Sequence, residues 1–202
     1  MFDARLRPLI DPPINAAGRY LAARGVTADA VTVAGFGLGL LAALIVALGA
    51  PVVAFFLIAL NRLADGLDGA VARASHTSDR GGYLDIVLDF FFYGAVPFAF
   101  ALLDPDANAL AAAALLLAFY MNGASFLGFS VMAEKRGITT DIQGQKSLYY
   151  LGGLAEGAET IAVFLAMCLW PQAFPLLAWG FAAICLVSAL ARVILVARML
   201  KD

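Results

Sequence analysis

Charge is scarce in this chain: Asp, Glu, Lys and Arg make up 14% of its 202 residues, against 63% hydrophobic. Soluble domains carry roughly 25% charged residues, so this shortage, with a mean hydropathy of +0.89, excludes an ordinary water-soluble protein. Cysteine is nearly absent too. Cys168 and Cys185 both fall in apolar stretches, where a thiol packs as a small hydrophobe, and neither a disulfide framework nor a zinc pattern follows from them. The single histidine, His76, lies in a polar connection and reads as a solvated loop residue. The first residues run through Arg5 and Arg7 to Pro12-Pro13 before any long apolar run, without the order of charged, apolar and cleavage regions of a signal peptide. Nothing is expected to be removed.

What the chain does have is long apolar runs. Each is near the roughly 20 residues a helix needs to cross about 30 Å of hydrocarbon, and they are continuous and rich in Ala and Leu rather than alternating, which excludes a transmembrane barrel. The expected fold is all-α and integral to the membrane, with six transmembrane helices at approximately 29–50, 51–74, 83–103, 108–132, 148–170 and 174–200. Thr27 is placed to cap the first of them. The residues before it, about 1–28, mix Arg5, Arg7, Arg19 and Arg24 with Leu6, Leu9, Ile10, Tyr20 and Leu21, which suits an amphipathic segment at the membrane face. The whole of 1–202 reads as one membrane domain.

The basic residues test that count. In a six-span chain all 13 Lys and Arg residues fall before the first span, around the second-to-third and fourth-to-fifth connections, or toward the end of the sixth. The opposite loops have none. The positive-inside rule then places both termini and an Asp-rich region on the cytoplasmic side of a multi-pass cell-membrane protein.

That region is Asp65-Gly66-Leu67-Asp68-Gly69-Ala70-Val71-Ala72-Arg73, followed by Asp85 and Asp89. Residues three and four apart share a helical face, so four carboxylates can converge across one connection. Ionised carboxylates gathered near an apolar phase repel one another and lose hydration, so they need a cation or protons. Oxygen-only ligands favour Mg²⁺ or Mn²⁺ over zinc, with Ca²⁺ chemically admissible. Gly69 and Ala72 leave the helix surface open, Gly81 and Gly82 permit close backbone approach, and Arg73 offers a phosphate contact. The competing structural reading, in which the aspartates merely cap helices or sit at a wet boundary, fits Asp79 better than this set.

The same residues carry a resemblance. The order Asp65, Asp68-Gly69, Ala72-Arg73, seven residues, Gly81, Asp85, Asp89 resembles the signature of the CDP-alcohol phosphatidyltransferase family at all eight fixed positions. The resemblance implies a two-ion Mg²⁺ or Mn²⁺ centre held by Asp65, Asp68 and Asp85, with Asp89 a shared ligand or the catalytic general base. It implies a CDP-binding surface along Gly69, Ala72, Arg73 and Gly81. The implied reaction moves a phosphatidyl group from CDP-diacylglycerol to an alcohol with release of CMP. The implied partners are a CDP-linked lipid or alcohol, a small alcohol or lipid acceptor and membrane phospholipids, with no nucleic acid and with homodimerisation open.

Acceptor identity is not encoded legibly. Asn122 and Ser125 in the fourth span, Lys146 at the following interface, and Glu156 and Glu159 in the fifth span are candidates for an acceptor or lipid pocket, since intramembrane ionisable groups are costly; Lys146 and Arg192 could each meet a phosphate. Tyr120-Met121-Asn122 lacks the Arg found near this Asn in serine-using relatives. Two alternatives stand beside the leading reading: transfer of a phosphoalcohol from a soluble CDP-alcohol to diacylglycerol, and a non-catalytic lipid-binding scaffold.

Overall fold

The computed structural model describes residues 3–137 and 157–200, and every regular element among them is helical. In chain order these are α1 (Asp3–Ala23), α2 (Ala28–Ala47), α3 (Pro51–Ala74), α4 (Asp79–Leu103), α5 (Pro105–Arg136), α6 (Gly157–Leu169) and α7 (Phe174–Met199), with a 3-10 turn at Pro171–Ala173 before the last. Local chemistry sets the boundaries. Thr27 is extended and its hydroxyl accepts from the Ala30 amide at 3.2 Å, capping α2 as expected. Pro51 opens α3, where its missing N–H costs no hydrogen bond. Ser78 caps α4 by accepting from Gly81 N at 3.0 Å. Asp104 is the only residue between α4 and α5, and its carboxylate accepts from Ala107 N at 3.1 Å. Gly137, at φ 61°, ends α5 in the left-handed region that favours glycine.

The expected count of six transmembrane helices is corrected. Among the described residues four helices are long and apolar enough to cross a membrane: Ala28–Ala47, Asp79–Leu103, Pro105–Arg136 and Pro171–Met199. Helix α3 is long, but its apolar half stops at Leu60, after which Asn61, Arg62, Asp65, Asp68 and Arg73 follow. Helix α6 covers 13 described residues; the rest of the expected fifth span lies outside the described residues. The alternation of basic loops presupposed six crossings, so it no longer places the site on the cytoplasmic side.

Helix α2 packs against both α3 and α4; α4 continues onto α5, α5 onto α7, while α1 and α6 lie on α3. The core they enclose is aliphatic and aromatic, with Val46, Ile58, Phe92, Val96, Phe100, Leu115, Phe164, Met167 and Phe174 buried. Phe100 stacks on Phe174 with centroids 4.5 Å apart, and Phe92 meets Phe164 edge-on at 5.9 Å. Cys168 and Cys185 are buried and unbridged. Outside this core, Leu44, Phe56, Leu110 and Leu176 stand more than half exposed. Apolar area on that scale suits lipid and not water.

Small residues set how closely the helices approach. A Cβ on Gly39 would lie 2.7 Å from the ring of the buried Phe92. Gly39→Ala is therefore expected to destabilise the α2–α4 contact by about 1–3 kcal/mol, seen as a lower unfolding midpoint in detergent. An unchanged midpoint would show that the contact yields without cost.

Candidate active site

Because α3 and α4 both pack on α2, the cleft between them is floored by α2. Two further glycine and amide contacts hold this arrangement. A Cβ on Gly35 would sit 2.9 Å from the Ala64 methyl, so only glycine lets α3 lie this close. The buried Asn61 side chain donates from Nδ2 to the Gly35 carbonyl at 2.9 Å. Opening off this floor is a concavity lined by Thr32, Gly35, Phe36, Asn61, Asp65, Asp68, Asp85, Leu88, Asp89 and Phe92. All four aspartates of the sequence pattern reach it.

They are not equivalent within it. Asp65, from α3, and Asp85 and Asp89, one turn apart on α4, bring carboxylate oxygens within 4.8 Å of one another. Asp68 is turned toward α2, where its Oδ2 accepts a hydrogen bond from the Thr32 hydroxyl at 2.7 Å. Burial pushes the Asp68 carboxyl up, to about 6; the Thr32 bond offsets part of that, and Asp65 and Asp85 add repulsion. Arg62 donates to Asp65 Oδ2 one turn away on α3, and the Tyr93 hydroxyl donates to Asp89 Oδ2 at 3.4 Å. Three acids within one ion's reach, with the Arg62 guanidinium beside Asp65, make a donor set of hard oxygens that fits a divalent metal such as Mg²⁺ or Mn²⁺.

The other signature positions lie around this centre. Gly69 is half-buried on α3, and a Cβ there would come within 3.2 Å of Arg73 Nη1. Arg73 is exposed and donates from Nη2 to Asn15 Oδ1 of α1 at 3.0 Å. Ala72 is half-buried beside it. Gly81 sits in the first turn of α4, where a Cβ would meet Asp29 Oδ1 and Ser78 Oγ at 3.2 Å; Arg80 pairs with the same Asp29 at 3.4 Å.

The acceptor candidates separate. Asn122 and Ser125 do not line the aspartate cavity. They are joined instead by the buried Arg192 of α7, which donates to the Asn122 carbonyl at 3.1 Å, to Asn122 Oδ1 at 3.0 Å and to Ser125 Oγ at 2.8 Å. Glu159 lies in the first turn of α6. That turn adjoins the acidic centre, since a Cβ on Gly157 would be 3.3 Å from the Tyr93 hydroxyl and 3.9 Å from Arg62 Nη2. Lys146 and Glu156 lie outside the described residues.

Sequence reasoning did not single out Thr32, Asn61, Arg62, Tyr93 or Asn15 as site residues. Arg62 and Tyr93 had a local signal: they stand three residues before Asp65 and four after Asp89, on the same helical faces. Thr32 and Asn15 had none, since their partners lie 36 and 58 residues away.

A cluster of hard oxygen donors among lipid-facing helices marks a membrane protein with a candidate divalent-cation site. Comparison with known proteins narrows that class. The CDP-alcohol phosphatidyltransferase family matches residues 25–199, and the chain belongs to it. It is 48% identical over 193 residues to the inner membrane protein YnjF of Escherichia coli (strain K12), covering 96% of this chain and 94% of that protein. It is 34% identical over 100 residues to the archaetidylinositol phosphate synthase of Pyrococcus horikoshii, 49% of this chain and 53% of that one. The crystal structure of Mycobacterium tuberculosis phosphatidylinositol phosphate synthase with CDP-DAG bound shares the fold, with a TM-score of 0.67, 24% identity, and 91% and 92% of the two chains covered. The protein is thus a multi-pass membrane enzyme of the CDP-alcohol phosphatidyltransferase class.

Proposed function

We propose that the protein transfers the phosphatidyl group of CDP-diacylglycerol to a hydroxyl of a small polar alcohol and releases CMP. The observation that carries this reading is the approach of Asp65, Asp85 and Asp89 to within one ion's reach, in a chain of this family. The choice of donor is supported by the Mycobacterium tuberculosis relative of the same fold, which holds CDP-DAG.

In this reading Asp65, Asp68, Asp85 and Asp89 would hold two Mg²⁺ or Mn²⁺ ions, with Asp68 the least committed of the four because Thr32 already engages it. Bound there, the ions would screen the diphosphate and stabilise CMP as it leaves. Asp89, one turn deeper on α4 than Asp85, takes the proton of the acceptor hydroxyl. The hydroxyl oxygen forms a bond to the β-phosphorus, the bond from that phosphorus to the bridging oxygen breaks, and CMP departs with the electron pair. No phosphoenzyme is needed. Gly69, Ala72 and Gly81 leave room along the helix ends for the nucleotide, and the Arg73 guanidinium meets a phosphate oxygen.

For the acceptor we place the α5–α7 cluster of Asn122, Ser125 and Arg192, together with Glu159, along the route to the aspartates. A buried Arg in a membrane-facing helix is costly unless it serves packing or function. In this reading the aspartate-bearing helix ends face the cytoplasm, a choice supported by Arg62, Arg73 and Arg80 flanking the acids. Residues 1–202 act as one unit in this reading, with the Arg-bearing α1 at the membrane face.

The test is CMP release by the purified protein with CDP-diacylglycerol, a panel of polyols, polyol phosphates and amino alcohols, and Mg²⁺ or Mn²⁺. A new lipid should form in step with CMP, and chelation of the metal should abolish both. CMP release only from a soluble CDP-alcohol with diacylglycerol would reverse the assigned direction. Donor binding without turnover on any acceptor would favour a lipid-binding scaffold.

A further inference from the structure

Helix α1 precedes the residues matched to the family, which begin at 25. It nevertheless lies directly on the signature stretch of α3. A Cβ on Gly18 would be 2.6 Å from the Ala70 methyl and 2.7 Å from the Ala70 carbonyl carbon, and a Cβ on Gly66 would be 3.3 Å from Ile14 Cδ1. Ile14, Asn15 and Gly18 share one face of α1, and Gly66, Ala70 and Arg73 share one face of α3. At the end of this seam Asn15 Oδ1 accepts from Arg73 Nη2 at 3.0 Å, while Arg73 Nη1 rests over the bare backbone of Gly69 at 3.2 Å from where a Cβ would stand.

We infer that α1 is part of the substrate site and that Asn15 is a positioning residue for Arg73. An arginine on a helix surface samples many rotamers, and fixing such a side chain for binding costs conformational entropy. Asn15 meets that cost beforehand. Its oxygen holds one edge of the guanidinium, laying the side chain back along α3 toward the aspartates and leaving its remaining donors for a phosphate oxygen. Glycine at 69 makes this pose sterically open, and glycine at 18 lets α1 come close enough to reach it. The inference rests on the reading of Arg73 as a contact to the CDP-linked donor.

The experiment is a double-mutant cycle on the full chain in lipid nanodiscs, with Asn15→Ala, Arg73→Ala and the pair, measuring KM for CDP-diacylglycerol, kcat and the unfolding midpoint. Asn15→Ala is expected to raise donor KM roughly threefold to tenfold, with kcat and midpoint unchanged. In the Arg73→Ala background it should add nothing. A wild-type KM in Asn15→Ala beside a raised KM in Arg73→Ala would overturn the positioning role while keeping Arg73. A full Asn15 effect persisting without Arg73 would overturn it as well, by showing that α1 acts elsewhere. Unchanged donor binding in Arg73→Ala would remove the reading of Arg73 itself, and the inference with it.

Discussion

Asp89→Asn is expected to slow single-turnover CMP formation by on the order of 10²–10⁴ at saturating acceptor, the usual contribution of a positioned general base, while the CDP-linked donor still binds. The substitution is nearly isosteric. Its amide oxygen can still accept from the Tyr93 hydroxyl, which lies 3.4 Å from the native carboxylate, so the local packing of α4 should survive. What is lost is the negative charge and the capacity to take a proton. Excess metal should not restore the rate. A variant that binds metal normally and turns over at the wild-type chemical rate would remove Asp89 as base, and the proton would then leave to water or another group. A variant that fails only because metal is missing would keep Asp89 as an ion ligand and give the base role no support.

The second expected result is a contrast between Asp65→Asn and Asp68→Asn. Asp65 belongs to the group of oxygens within 4.8 Å of one another, whereas Asp68 is engaged by Thr32. Loss of groups that merely support metal ligands costs about 10–100-fold, so removing the Asp65 charge should lower metal affinity and turnover by at least about a hundredfold. Asn at 68 can still accept from Thr32, and the expected loss there is nearer tenfold. Metal titration and CMP release on folded protein read both. Equal losses would mean that Asp68 leaves Thr32 to ligate as fully as Asp65 does. Normal metal binding in Asp65→Asn would take that residue out of the proposed centre.

The two expected results differ in how far the sequence anticipates them. Asp85 and Asp89 are four residues apart on one helix, so their shared face follows from helical periodicity alone. Their meeting with Asp65 follows from the eight-position pattern that marks the family. That Asp68 points at α2 follows from neither, because the choice between two faces of α3 depends on where α2 lies. The acceptor candidates show the same division. Asn122 and Ser125 are close neighbours in sequence, but their common partner, Arg192, is 70 and 67 residues away.

Helix content and membrane residence were determined by the sequence itself. They depend on the summed transfer of apolar side chains and on backbone groups satisfied within each helix, both of which are local quantities. The capping of α2 by Thr27 and the start of α3 at Pro51 are local in the same way. The number of membrane-crossing helices was not. A count of apolar runs treated 51–74 as a span, whereas the lower half of α3 presents Asn61, Asp65 and Asp68 to a cleft shared with α2 and α4; those polar groups make its helix a site wall rather than a lipid-facing rod. Tertiary packing alone decided the close approach of α2 at Gly35 and Gly39, the Thr32 bond to Asp68 and the reach of α1 to Arg73. Each is a contact between residues far apart in the chain, whose geometry is set by how closely glycine faces let two helices approach.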